Sequence, residues 1–189
     1  MNMTSRKVSL IALLVFTISL LPAFIHAQQR HVATILKISD GDTIWVLMNR
    51  EKVKLRLIGI DTPEKFSSKK LEREAAECQV SLGYMKNLGQ MATHYAKTLL
   101  HRGQKVKLFI YDRGYYGRAL TLIYLPDGTC YNERIVADGY ACVYKYRGHK
   151  SRELPWDEWF RLNQLLEEVK ENRRGLWERN YKVMECLCR

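Results

Sequence analysis

Two short acidic stretches hold the residue types from which a phosphate-processing site is built. Ser39-Asp40-Gly41-Asp42-Thr43 reads as a turn, with Asp42 at the start of the run that follows. Asp61-Thr62-Pro63-Glu64 closes an apolar run that begins at Arg56. Two carboxylates held together repel unless something neutralises them, and a hard divalent cation does so with carboxylate and carbonyl oxygens. Asp42, Asp61 and the Thr62 carbonyl are the candidate metal ligands, because Pro63 holds Thr62 extended and can aim its carbonyl at the same point. The turn at Pro63 brings Glu64 back toward Asp61. Arg56 is a charge inside a strand pattern, and Arg118 follows Tyr115-Tyr116-Gly117 at the head of a hairpin strand. Their planar forks suit a phosphate beside a metal. In a straight strand Arg56 and Asp61 face opposite sides, so a bulge at Gly59 is expected to bring them to one pocket. The chemistry implied is metal-assisted attack of water on a phosphodiester.

The elements that must hold these residues follow from local pattern. His31–Ile38, Thr43–Asn49 and Val53–Ile60 are β-branched runs with short polar connections, an antiparallel meander. Lys105–Tyr111 and Arg118–Leu125 form two more strands. Helical spacing predicts a helix over 87–101, with Leu88, Met91, Ala92, Tyr95, Leu99 and Leu100 on its core face and Gly103 as the stop. A short helix is expected in Tyr131–Gly139, then an extended piece over 140–146. A last helix is expected from Trp156 to Arg173, with Trp159, Phe160, Leu166 and Val169 inward and Gly175 closing it. Residues 65–86 show no clean helix or strand signal and read as a lid or mobile loop. Five strands with about three helices make an α+β domain, and at this size an OB-type five-stranded barrel that offers one face to oligonucleotides.

The net charge of +11 favours an anionic partner. Residues 1–27 have a short basic start, a long apolar run and a small residue at Ala27. This is the layout of a secretory signal peptide cut before Gln28, the alternative being an uncleaved anchor, which would bring the only expected membrane contact. Its loss removes Arg6 and Lys7 and no acid, so +11 becomes +9. The expected location is secreted or periplasmic, with a domain over 28–180 and a short tail over 181–189. Five cysteines in an exported chain point to one or two structural bridges and a leftover thiol. Cys186 and Cys188 are too close in sequence to pair comfortably with each other, and the remaining connectivity stays open. No stable protein partner is implied.

"SDGDT", "LRLIGIDTPE", "YYGR", "YNERIVADGYACV" and "GLW" occur in the order found in the staphylococcal nuclease family, and the chain resembles that family over roughly residues 31–180. The resemblance implies an OB-fold barrel with helices and calcium-dependent hydrolysis of DNA and RNA. By position, Asp42, Asp61 and the Thr62 carbonyl would ligate calcium, and Glu64 would act on the attacking water. Arg56 and Arg118 would bind the phosphate, and Tyr116 would contact the nucleotide. Tyr115, Tyr144 and Tyr146 are further candidates for stacking on unpaired bases. Many members have aspartate where this chain has Gly114, and the staphylococcal enzyme has lysine in place of Tyr115. Those departures bear on nucleotide recognition rather than on the core chemistry. Two functions remain open at this point: a secreted or periplasmic nuclease, and an OB-fold module that binds nucleic acid without cutting it.

Overall fold

The computed structural model describes residues 29–113, 117–144 and 154–189. Strands β1 (Gln29–Ile38), β2 (Thr43–Met48) and β3 (Glu51–Leu57) form the meander. The chain then runs through the short strand β4 (Ile60–Asp61) and the helices α1 (Lys69–Glu77) and α2 (Leu82–Leu99). Strands β5 (Lys105–Arg113) and β6 (Ala119–Tyr124) complete a closed barrel in the order β1-β2-β3-β6-β5. After the barrel come α3 (Tyr131–Ala137), β7 (Cys142–Val143), α4 (Trp156–Asn172) and α5 (Leu176–Leu187). The class is α+β and the barrel has the expected five strands, but there are five helices rather than about three.

Closure comes from the alternation of inward side chains. Ile35, Ile44, Val46, Leu55, Leu57, Val106, Leu108 and Ile123 are buried inside. Asn49 and Arg50 both adopt positive φ, 51° and 68°, so β2 and β3 join through a two-residue turn. The connection is therefore tighter than the Arg-Glu-Lys link expected from sequence. The turn fixes a register in which Thr43 faces Arg56, and Asp42 thereby falls beside Arg56. β6 runs parallel to β3 on its other side, with Ala119 opposite Leu55, which brings Arg118 to the same end of the barrel.

Several elements depart from the sequence expectation. Residues 65–86 are mostly helical. Ser68 caps α1 by accepting from the Leu71 amide at 3.1 Å. Leu71 and Ala75, one turn apart, are the buried residues of this helix, too sparse an apolar pattern to stand out in sequence. α2 starts at Leu82 behind its own cap, Ser81. Met91 is 41% exposed and Phe160 51%, so neither is the core residue its spacing suggested. Leu162, Leu166 and Val169 carry the buried face of α4. Residues 176–187, read partly as a tail, form a helix with Leu176, Trp177 and Met184 buried.

Two disulfides fix that helix. Cys78, at the end of α1, bonds to Cys186, and Cys142 in β7 bonds to Cys188. Cys130 is the leftover thiol; it is buried, and burial pushes it up to about 11, away from thiolate reactivity. Among the described residues no helix is long and apolar enough to cross a membrane.

Candidate active site

The strand carrying Arg56 does not bulge at Gly59; it breaks there. β3 stops at Leu57, Gly59 takes φ = 77°, and the chain restarts as β4, which pairs with β7 instead of the barrel. A side chain at Gly59 would meet Leu162 and Leu154 at under 3 Å, so the kink needs glycine both for φ and for space. The break leaves the Ile58 carbonyl without a ladder partner. Buried Asn132 of α3 supplies one, donating to Ile58 O at 3.0 Å and accepting from the Ile123 amide at 3.2 Å. The neighbouring Tyr131 hydroxyl donates to Gly41 O at 2.8 Å. One turn of α3 therefore braces both acidic loops.

The outcome is the convergence expected for Arg56 and Asp61, reached by another route. Arg56 Nη1 lies 2.5 Å from Asp42 Oδ1, and Nη2 lies 3.3 Å from Asp61 Oδ1 and 3.2 Å from the Ile60 carbonyl. Asp42 Oδ2 accepts from the Thr62 amide at 3.1 Å, locking the two loops together. A cleft of about 370 Å³ opens at this end of the barrel. Asp42, Arg56, Asp61, Thr62, Glu64 and Arg118 all line it. Tyr144 also reaches this place. Its ring lies 5.1 Å from the Arg56 guanidinium carbon, and its hydroxyl lies 3.5 Å from Asp61 Oδ1. Tyr115, Tyr116 and Tyr146 lie outside the described residues.

Three cleft residues had no signal in the sequence reading, Lys54, Phe66 and Lys70, and Asp40 was read only as part of the acidic turn. Lys54 also lies 5.6 Å from the Trp45 ring centre, and Phe66 is 54% exposed at the cleft. Alternation along β3 could have placed Lys54 on the face of Arg56, since the two are two residues apart. Lys70 had no such route, because α1 itself was not foreseen. Gly89 of α2 was missed as well. A Cβ there would lie 2.5–2.7 Å from the backbone of Glu64 and Lys65, so this glycine lets the helix back directly onto the peptide of Glu64.

The charges in the cleft are coupled. Burial works to raise the Asp42 carboxyl, but the Arg56 guanidinium outweighs it and holds Asp42 well below the usual carboxylate range. Partial burial and the negative Asp42 beside it push the half-buried Asp40 up to about 7. Burial also raises Asp61, against the pull of Lys70. Arg56 itself is desolvated, and the Asp42 and Asp61 charges overcome this to raise it further.

Asp42 and Asp61 offer the hard oxygens that calcium and magnesium take. Among the described residues no three acidic, histidine or cysteine side chains are gathered closely enough to hold an ion by themselves. A cation held here would draw the rest of its shell, about six to eight oxygens for calcium, from backbone, water and substrate. The donor set fits such an ion and offers nothing to a soft metal.

An OB barrel that gathers carboxylates and arginines at one end is built for cleaving phosphate esters. Residues 54–179 match the family described as "Staphylococcal nuclease homologue". An Escherichia coli O157:H7 protein named "Uncharacterized endonuclease" is 30% identical over 172 residues, 91% of this chain and 90% of its own length. The "Micrococcal nuclease" of Shigella flexneri is 28% identical over 151 residues, 76% of this chain and 71% of its own. "Endonuclease YhcR" of Bacillus subtilis is 27% identical over 167 residues, 87% of this chain and 13% of its own. The chain belongs to the staphylococcal nuclease family. It is a nuclease, a hydrolase acting on nucleic acid, rather than a module that only binds.

Proposed function

We propose that this nuclease is calcium-dependent, cleaves DNA, RNA or both, and works outside the cytoplasm after residues 1–27 are removed. The cleft carries the reading: Asp42, Asp61 and Glu64 line it together with Arg56 and Arg118. Asp42 and Asp61, with the Thr62 carbonyl, would hold the calcium. When bound, the ion supplies Lewis-acid charge to a phosphate oxygen and helps order the attacking water. Glu64 orients that water and takes its proton. Negative charge grows on the phosphoryl oxygens as the water enters. Arg56 is fixed before substrate arrives by Asp42, Asp61 and the Ile60 carbonyl, the preorganisation that stabilises such charge. Arg118 immediately precedes β6, on the other side of β3 from the strand that follows Asp42, so the two guanidiniums approach the phosphate from different segments. Tyr144, with Tyr115 and Tyr116, is proposed to contact the nucleotide. The positive chain draws in the polyanion.

Export is supported by the two disulfides, which persist in oxidising compartments. Mass spectrometry of the protein from its native envelope or medium should give an N-terminus at Gln28; an intact Met1 in a membrane fraction would overturn cleavage. The catalytic reading is tested with the purified protein on single-stranded DNA, duplex DNA and RNA. Cleavage should appear with calcium and stop with a chelator. It should fall together with calcium affinity in Asp61→Asn. Unchanged cleavage in chelator would overturn the calcium dependence.

A further inference from the structure

Lys70 places a positive charge among the carboxylates at the centre of the cleft. Its Nζ lies 2.9 Å from Asp61 Oδ1 and 2.9 Å from Glu64 Oε1. The first oxygen belongs to a proposed calcium ligand and the second to the residue proposed to act on water. A third carboxylate, Glu74, sits one helical turn along α1, with Oε1 3.6 Å from the same nitrogen. The other oxygen of Glu74 is buried and has no hydrogen-bond partner. A buried acceptor left unmatched is costly. Here it belongs to a carboxylate already beside an ammonium with three hydrogens to give.

The helix under Lys70 is held firmly. Ser68 caps its start, Leu71 and Ala75 are buried, and Cys78 at its end is bonded to Cys186. The flexible part is the lysine side chain, about a quarter exposed, which can exchange partners without moving the backbone.

From these contacts we propose that Lys70 is a displaceable internal cation. It neutralises Asp61 and Glu64 while the site lacks calcium, and it transfers to Glu74 when calcium enters. The inference rests on the calcium reading above and goes beyond it, because it makes Lys70 the residue that sets the calcium threshold. An ammonium and a divalent ion against the same carboxylate repel each other, so calcium and Lys70 compete for Asp61 and Glu64. Unlike Arg56, which is tied to Asp42 and the Ile60 carbonyl as well, Lys70 has the open Glu74 oxygen as a place to go.

The test is calorimetric titration of calcium into the purified protein with no nucleic acid present. Lys70→Met should bind calcium about tenfold more tightly than wild type, because the competing charge is gone. Lys70→Arg should stay close to wild type. Glu74→Gln should bind calcium at least about threefold more weakly, since the displaced lysine loses its second carboxylate. A second readout is thermal melting: Lys70→Met should melt below wild type in chelator, with the gap closing in calcium. Calcium binding by Lys70→Met that is equal to or weaker than wild type would overturn the inference and leave Lys70 a plain link between α1 and β4. Unchanged affinity in Glu74→Gln would overturn the transfer to Glu74, and this variant decides the matter if Lys70→Met does not fold. Wild type and all variants failing to take up calcium would overturn the calcium reading and the inference together.

Discussion

The cleft has two halves built in different ways. Asp42 and Arg56 belong to the barrel, where the β2–β3 register sets them side by side and a short turn sets the register. Asp61, Glu64 and Lys70 belong to the layer over the barrel end: a two-residue strand, a loop and α1. That layer has few ladder hydrogen bonds. It is held by Asn132 and Gly89 from neighbouring helices and by disulfides spanning 108 and 46 residues. The barrel half is specified locally, the covering half by contacts distant in sequence. Substitutions in the barrel half should damage both fold and chemistry, whereas those in the cover should separate them.

The largest effect is expected at Arg56. Arg56→Lys keeps the charge but loses the planar fork that reaches Asp42, Asp61 and the Ile60 carbonyl at once. Single-turnover cleavage of a short single-stranded DNA at saturating calcium should fall by about a hundred- to a thousandfold. The melting temperature should fall too, since a buried partner of Asp42 is disturbed. A variant that cleaves at the wild-type rate would reduce Arg56 to a steering charge and dissolve the contrast. Glu64→Gln, in the cover, should slow cleavage by about a hundredfold with little change in melting temperature or calcium affinity. A loss below about threefold would remove Glu64 from the reaction.

What could be read in the sequence follows the same division. The five strands were legible because β-branched runs alternate and polar turns separate them. Arg56 and Asp61 could be paired through Gly59, although the structure uses a broken strand with φ = 77° rather than a bulge. Asp42 was legible because it begins a strand beside a turn. The cover was not. α1 shows its core only two apolar residues, so no periodicity announced it. Lys70 was hidden with it. Asn132 lay in plain sight, but its role depends on the carbonyl of Ile58, 74 residues away. The cysteine partners could not be assigned either, because spacing alone does not say which helices meet.

Gly89 offers a sharper comparison. In an isolated helix Gly→Ala is favourable by about 1 kcal/mol. Here the new methyl would lie 2.5 Å from the Glu64 carbonyl carbon. Gly89→Ala should therefore shift Glu64 and lower kcat by about tenfold, since small misplacements of a catalytic group cost that much or more. Calcium affinity should change far less, because Asp42 is held by the barrel. Full activity would show that the loop moves freely and that α2 does not position Glu64.

The smallest effect on rate, and the finest test of the division, lies in the two disulfides. Both end on α5, yet they reach different parts of the cover. Cys142 is the register partner of Asp61 in the β4–β7 pair, so the Cys142–Cys188 bond lies directly behind a proposed calcium ligand. Cys78 closes α1 beyond Glu74 and lies two turns from Lys70, so the Cys78–Cys186 bond bears on the site only through the helix. Chain entropy ranks them in the opposite order, because the longer loop restrains the unfolded chain more. Replacing Cys78 and Cys186 together by serine should lower the melting temperature by about 5–10 °C and change cleavage at saturating calcium by less than about twofold. Replacing Cys142 and Cys188 together should cost no more in melting temperature but weaken calcium binding by about threefold or more, as the β4–β7 pair loosens around Asp61. Calorimetric melting with calcium titration on the two double variants measures both quantities. If both variants lose stability and calcium affinity in the same proportion, the cover behaves as one rigid body, and Asp61 is no more exposed to α5 than Lys70 is.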